Sequence, residues 1–197
     1  MKLALKSGLL ALVCVSGAAM AANFSGPEAG ASVTMNGGSV RSDLKSSDDK
    51  DRDYGQTSMG IKLHAGYGFD MGNDTVVLVG FSYNPTDIKS GTSSTSNIKI
   101  SNSWSLSVAP GMKLNDTSLV YVKLAYEAGK FQINSTTSIN QSISGLGYGV
   151  GLRTEINKTT FLETEIKQVN YKKFTYLNAL DMTPSATVGS VGVVFKF

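Results

Sequence analysis

Polar and apolar residues alternate along most of this chain, and that pattern restricts it to half-buried β-strands. Successive strand side chains point to opposite faces, whereas a helix repeats every 3.6 residues. Between Ser58 and Phe69, the side chains of Met59, Ile61, Leu63, Ala65, Tyr67 and Phe69 share one face, and Ser58, Gly60, Lys62, His64, Gly66 and Gly68 share the other. Eight segments of this kind are predicted, at 27–41, 54–69, 75–84, 98–114, 118–131, 143–156, 160–173 and 185–197. The connections between them alternate in length. Those at 70–74, 115–117 and 157–159 are short and rich in the Asn, Asp and Gly that tight hairpins need, while 42–53, 85–97, 132–142 and 174–184 are long. Eight strands with short turns at one end and long loops at the other form an antiparallel up-and-down barrel, all-β in class.

The two faces differ in chemistry as sharply as in polarity. In the fourth segment Ile100, Trp104, Leu106, Val108 and Met112 oppose Lys99, Ser101, Ser103, Ser105, Ser107, Gly111 and Lys113. In the sixth, Leu146, Tyr148, Val150 and Leu152 oppose a row of glycines ending in Arg153 and Glu155. A soluble barrel also has one apolar and one polar face. Here the polar face is built of Gly and Ser with interspersed charges, as a narrow lumen filled by side chains requires. Glycine supplies 21 of 197 residues, about 11% against a usual ~7%, and proline only 4, so the excess belongs to this face and not to disordered linkers. Segments of ten or more residues suit a tilted membrane strand. The reading is therefore an eight-stranded transmembrane β-barrel.

The single apolar run is N-terminal. Lys2 and Lys6 precede Leu9–Val15, and small residues then lead to Ala19-Met20-Ala21. This is the anatomy of a cleaved secretory signal peptide over 1–21, followed by a barrel domain over 22–197. Bulky Leu12 and Val13 before Cys14 argue against a lipoprotein anchor at that cysteine, the only one in the chain.

The final segment reads Ser190-Val191-Gly192-Val193-Val194-Phe195-Lys196-Phe197. With Ser190, Gly192, Phe195 and Phe197 in their spacing, it resembles the C-terminal assembly signal of bacterial outer-membrane barrels. With the rest of the chain it resembles the small OmpA/OmpX and opacity-type barrel family. That resemblance implies recognition by the barrel-assembly machinery, residence in a Gram-negative outer membrane among its lipid and lipopolysaccharide, and external loops that meet host, neighbour-cell or phage partners. Pro110 departs from the pattern and predicts a bulge or an early strand end. Asn102 and Thr164 place polar groups on the lipid face.

Chemistry is sparse. His64 is the one histidine, so any histidine-dependent mechanism passes through it, and no partner spacing is visible. Enzymatic barrels that deacylate lipid A use His and Ser in a late strand, and the late segments here hold no His. The predicted lumen charges are Lys62, Lys99, Lys113, Lys123, Arg153, Lys167 and Lys196 against Glu28, Glu127, Glu155, Glu163 and Glu165, an ion-pair network beside His64. Asp49, Asp51 and Asp53 miss the spacing of a calcium loop, and no cofactor or metal site is expected. The low charge content, 17%, gives no nucleic-acid surface. In the last loop Phe174, Tyr176, Leu177, Leu180 and Met182 either pack over the barrel mouth or form a contact surface. Phe24, outside the strands, is expected to be dispensable. The function that follows is a non-enzymatic, membrane-anchored surface protein; a narrow passive channel or carrier for small solutes is the alternative.

Overall fold

The computed structural model describes residues 24–44, 52–93, 96–134, 139–176 and 180–197, in which the alternating segments become ten strands. They are β1 (Gly26–Leu44), β2 (Arg52–Gly72), β3 (Thr75–Asn84), β4 (Ile88–Ser93), β5 (Ser96–Asn115), β6 (Ser118–Asn134), β7 (Ile139–Asn157), β8 (Thr160–Tyr171), β9 (Phe174–Tyr176) and β10 (Leu180–Lys196). Eight of them close a ring in the order β1-β2-β3-β5-β6-β7-β8-β10, all antiparallel. The seam runs from Glu28 opposite Lys196 to Leu44 opposite Leu180, so the ring has no free edge and backbone groups find partners without water. The short β4 and β9 pair onto β5 and β10. The signal-peptide segment and the Asp49/Asp51 stretch lie outside the described residues.

The alternation sets the facing. Met59, Leu63, Val122, Leu146 and Ile166 all point outward with about half or more of their surface exposed, a wall meant for lipid. No helix among the described residues is long and apolar enough to cross a membrane. Replacing outward Leu63 with Arg is expected to weaken insertion by roughly 2 to 4 kcal/mol near the bilayer midplane. Ser103, 1% exposed on the inner face, has no room for Arg and fails for a packing reason instead. Folding into lipid vesicles followed by urea titration checks both, and a Leu63→Arg protein as stable as wild type would invert the facing.

The short turns are tight because of particular residues. Asn73 and Asp74 both adopt positive φ, 50° and 59°, which the two-residue hairpin joining β2 and β3 demands. At the other two turns Asn115 and Asn157 each accept hydrogen bonds from the backbone N–H and the hydroxyl of a threonine two residues on.

Three expectations need correction. Pro110 neither bulges nor ends β5. It drops out of the ladder to β6, for want of an N–H, while the register on either side is unchanged. The bulge falls instead between Ser101 and Trp104, where Asn102 takes φ 49°. One extra residue there reverses the facing of everything above it. Ile100, expected in lipid, is fully buried inside the barrel, and Lys99, expected in the lumen, leaves it and pairs with Asp87 at 2.7 Å.

The long loops are also shorter than predicted. Pairing continues past the bilayer to Ser42 opposite Arg52 and to Ile133 opposite Ile139. Most of 85–97 is not loop at all. Because β3 stops at Asn84, the upper part of β2 lacks that neighbour, and the chain returns as β4. Thr86 accepts from the Ile61 N–H at 2.9 Å, and Ser58 accepts from the Lys89 N–H at 3.2 Å. A Cβ added to Gly38 of β1 would lie 2.5 Å from the Lys89 carbonyl oxygen, so β4 crosses the mouth of the barrel pressed against its inner wall.

Candidate functional site

The inner face is where most candidate residues meet, and it is stacked in three layers. At the short-turn end Phe24 folds back beneath the barrel, 2% exposed, and packs on Phe161 with ring centroids 5.4 Å apart. Val76, Leu78, Leu119 and Val194 complete this layer. Phe24 is therefore part of a seal, contrary to the expectation that it is dispensable.

The middle layer is ionic. Arg153 on β7 grips Glu28 of β1 through two hydrogen bonds, 2.6 and 3.1 Å, and Glu163 of β8 through a third at 2.6 Å. Lys62 of β2 lies 3.4 Å from Glu165 and 3.9 Å from Glu163. Glu165 also pairs with Lys123 of β6 and accepts the Tyr121 hydroxyl at 3.0 Å. Lys167 holds Glu127 at 2.6 Å. Glu155 lies below, with its Oε2 buried and without a hydrogen-bond partner among the described residues. With Lys99 outside, and with Lys113 at the rim paired to Asp70 at 2.8 Å, five lumen cations remain against five carboxylates. The predicted excess of positive charge disappears. Neutrality matters because an uncompensated ion in this interior would cost several kcal/mol.

His64 stacks against bare Gly30, where an added Cβ would stand 2.5 Å from the imidazole Cε1. Neither ring nitrogen has a hydrogen-bond partner among the described residues. The cavity bounded by Glu28, Lys62, His64 and Arg153 measures about 30 Å³, the space of about one or two waters. Tyr121 escaped the sequence reading. Its ring fills the space opposite Gly151, whose Cβ would come within 2.6 Å of it, and this pairing of largest with smallest was the available signal.

The third layer closes the long-loop end. Val40, Ile100, Phe131, Ile143, Val169 and Tyr171 turn inward there, each 5% exposed or less. Phe131 meets Phe174 edge-on at 5.2 Å. Met182, 4% exposed, belongs to the same cluster, so two of the five candidate contact residues pack over the mouth, Met182 buried and Phe174 half-buried. The side chains of Tyr176, Leu177 and Leu180 lie outside the described ones.

The four C-terminal residues divide. Ser190 and Gly192 face the lumen, the serine accepting from Lys62 at 3.1 Å and the glycine leaving room for Ser32. Phe195 and Phe197 face outward, 51% and 71% exposed, at the short-turn rim.

The family of this barrel follows from its sequence as well as its shape. Residues 7–197 match the model of the outer membrane protein beta-barrel domain. The chain belongs to this family. Its members' setting places the short turns in the periplasm, the long hairpins outside the cell, and the apolar wall in the outer membrane between them. Among solved structures, Neisserial surface protein A aligns with a TM-score of 0.56 at 14% identity, over 85% of this chain and 97% of its own. The outer membrane protein AlkL, determined in lipid bilayers, aligns with a TM-score of 0.52 at 15% identity, over 91% and 94%. Ail of Yersinia pestis, solved in complex with the heparin analogue sucrose octasulfate, gives 0.47 at 19% identity, over 86% and 99%. No curated protein matches the sequence. At these identities the likeness is one of fold alone.

Proposed function

We propose that this family member is a non-enzymatic anchor: a sealed barrel that holds its external hairpins at the cell surface to bind host, neighbour-cell or phage partners. The observation that carries this reading is the layered lumen. A solute path would have to breach two apolar layers and a neutral ion-pair layer between them, and the cavity beside His64 in that layer measures only about 30 Å³. A passive channel has no comparable support. Catalysis by the lone histidine is disfavoured in turn, since His64 sits among Lys62, Lys123, Arg153 and Glu163 beneath the upper seal.

The hairpins are suited to recognition because their ladders continue beyond the apolar wall, giving stiff stalks for the tips. Joining Ser42 to Arg52, and Ile133 to Ile139, through two-residue Asn-Gly turns removes tips while keeping the paired stalks. Bacteria displaying equal amounts of full and trimmed protein are then compared for adherence to host-cell monolayers. Adherence above barrel-free bacteria that trimming abolishes is the expected result. Adherence that survives trimming of every tip would move the binding function off the hairpins.

A further inference from the structure

Charges on the outer wall follow a rule that neither the lumen nor the hairpin tips require. Among the described side chains, the outward rows of β5, β6, β7 and β8 hold no carboxylate. On β6 the outward row reads Val120, Val122, Leu124, Tyr126, Ala128 and then Lys130; on β8 it passes Leu162, Thr164, Ile166, Gln168 and Asn170 and ends beyond the strand at Lys172. Each lysine is the first charge above the apolar wall on its strand. Lys130 and Lys172 have no ion pair among the described residues.

The two lysines converge on one place. Lys130 stands opposite Ser142 of β7, and the Lys172 N–H donates to the carbonyl of Ser144 at 2.8 Å, so two cations flank two outward serines. Directly beneath, Trp104 and Tyr126 meet with ring centroids 5.9 Å apart. Asn102, displayed by the bulge, lines with Trp104, Tyr126, Lys130, Ser142 and Ser144 a groove of about 360 Å³ at the external rim of the wall, and Lys172 stands beside it, joined through its backbone to Ser144. Aromatic faces beneath, hydroxyls and an amide at mid-height, and cations above match a molecule that is apolar below, sugar-like in the middle and anionic at its edge.

We propose that this groove binds the phosphorylated sugar headgroup of an outer-leaflet glycolipid, with its acyl chains lying down the wall below Trp104 and its phosphate between Lys130 and Lys172. Charge complementarity selects this occupant. Zwitterionic lipid offers no net charge to two unpaired ammonium groups, while phosphate at the membrane surface does. The lipid grips the barrel from the side, independently of the hairpin tips and of whatever they bind.

Trp104 is the only tryptophan in the chain, so its fluorescence reports on the groove directly. Protein refolded in zwitterionic detergent is titrated with bisphosphorylated lipid A, with the same lipid after removal of its phosphates, and with heparin as a soluble polyanion. The expected result is a saturable change with the phosphorylated lipid, about 5-fold or more weaker for the dephosphorylated one. Lys130→Gln is expected to raise the half-saturation point by about 5-fold. Unchanged electrophoretic mobility of the unboiled variant shows that it folds. Equal affinity for both lipids, or indifference to Lys130→Gln in a folded protein, overturns the assignment. Heparin that displaces the phosphorylated lipid at lower concentration than lipid A itself binds also overturns it, in favour of a soluble polyanion. Loss of adherence on trimming the tips leaves this titration unaltered, so the two functional readings fail separately.

Discussion

Arg153→Met is expected to destabilise the folded barrel by about 3 to 5 kcal/mol, because it leaves two buried carboxylates without their shared partner. Glu28 and Glu163 have side chains only 8% and 3% exposed, and both are bonded to the Arg153 guanidinium. After the substitution Glu163 retains Lys62 at 3.9 Å, too long for a hydrogen bond. The loss should therefore exceed that of a cavity of the same size. Neutralising the orphans tests this. In an Arg153→Met, Glu28→Gln, Glu163→Gln protein most of the stability should return, since uncharged groups of similar shape replace an ion triad at little net cost. Urea unfolding from lipid vesicles, followed by Trp104 emission, measures all three proteins. A single substitution costing under about 1 kcal/mol, or a triple variant no better than the single, would mean that water reaches this layer.

Deleting Phe197 is expected to produce the largest effect in cells and one of the smallest in a test tube. The residue lies one position beyond the end of β10, keeps a backbone hydrogen bond from its N–H to the Pro27 carbonyl at 3.0 Å, and leaves 71% of its surface exposed. Refolded protein should lose under about 1 kcal/mol. Outer-membrane yield should collapse if the terminal aromatic is what the assembly machinery reads. Met71, 64% exposed at the same rim, supplies the control, and Met71→Ala should be mild in both assays. Phe24 cannot serve there, since it is buried against Phe161 and its truncation would cost about 3 to 5 kcal/mol. Equal losses in cells and in detergent on deleting Phe197 would leave it a packing role only.

The ring and its facing were legible in the sequence because one physical contrast, lipid outside and packed polar groups inside, governs every strand across the bilayer. Above the bilayer the contrast reverses. On β8, Leu162 and Ile166 face out and Glu163 and Glu165 face in, but higher up Asn170 faces out while Val169 and Tyr171 face in. The ladder is unbroken there. In hydrophobic periodicity the swap looks like the end of a strand, so the pattern ends the hairpins too early and hides the upper seal. The Asn102 bulge compounded this, since one inserted residue sent Lys99 and Ile100 to the wrong faces. Nothing local to 85–93 marked it as a strand either. Its pairing follows from β3 being shorter than its neighbours, a property of the whole ring.

Current through the barrel tests the sealed anchor most directly. Folded protein is reconstituted in a planar bilayer and recorded at high salt, alongside Val40→Gly, Phe131→Gly protein in which the upper seal is thinned. A sealed lumen gives no resolved conductance steps in the wild type. Reproducible steps from wild-type protein that change on replacing Lys62 or Glu163 would show that ions cross the middle layer, and would contradict a closed barrel.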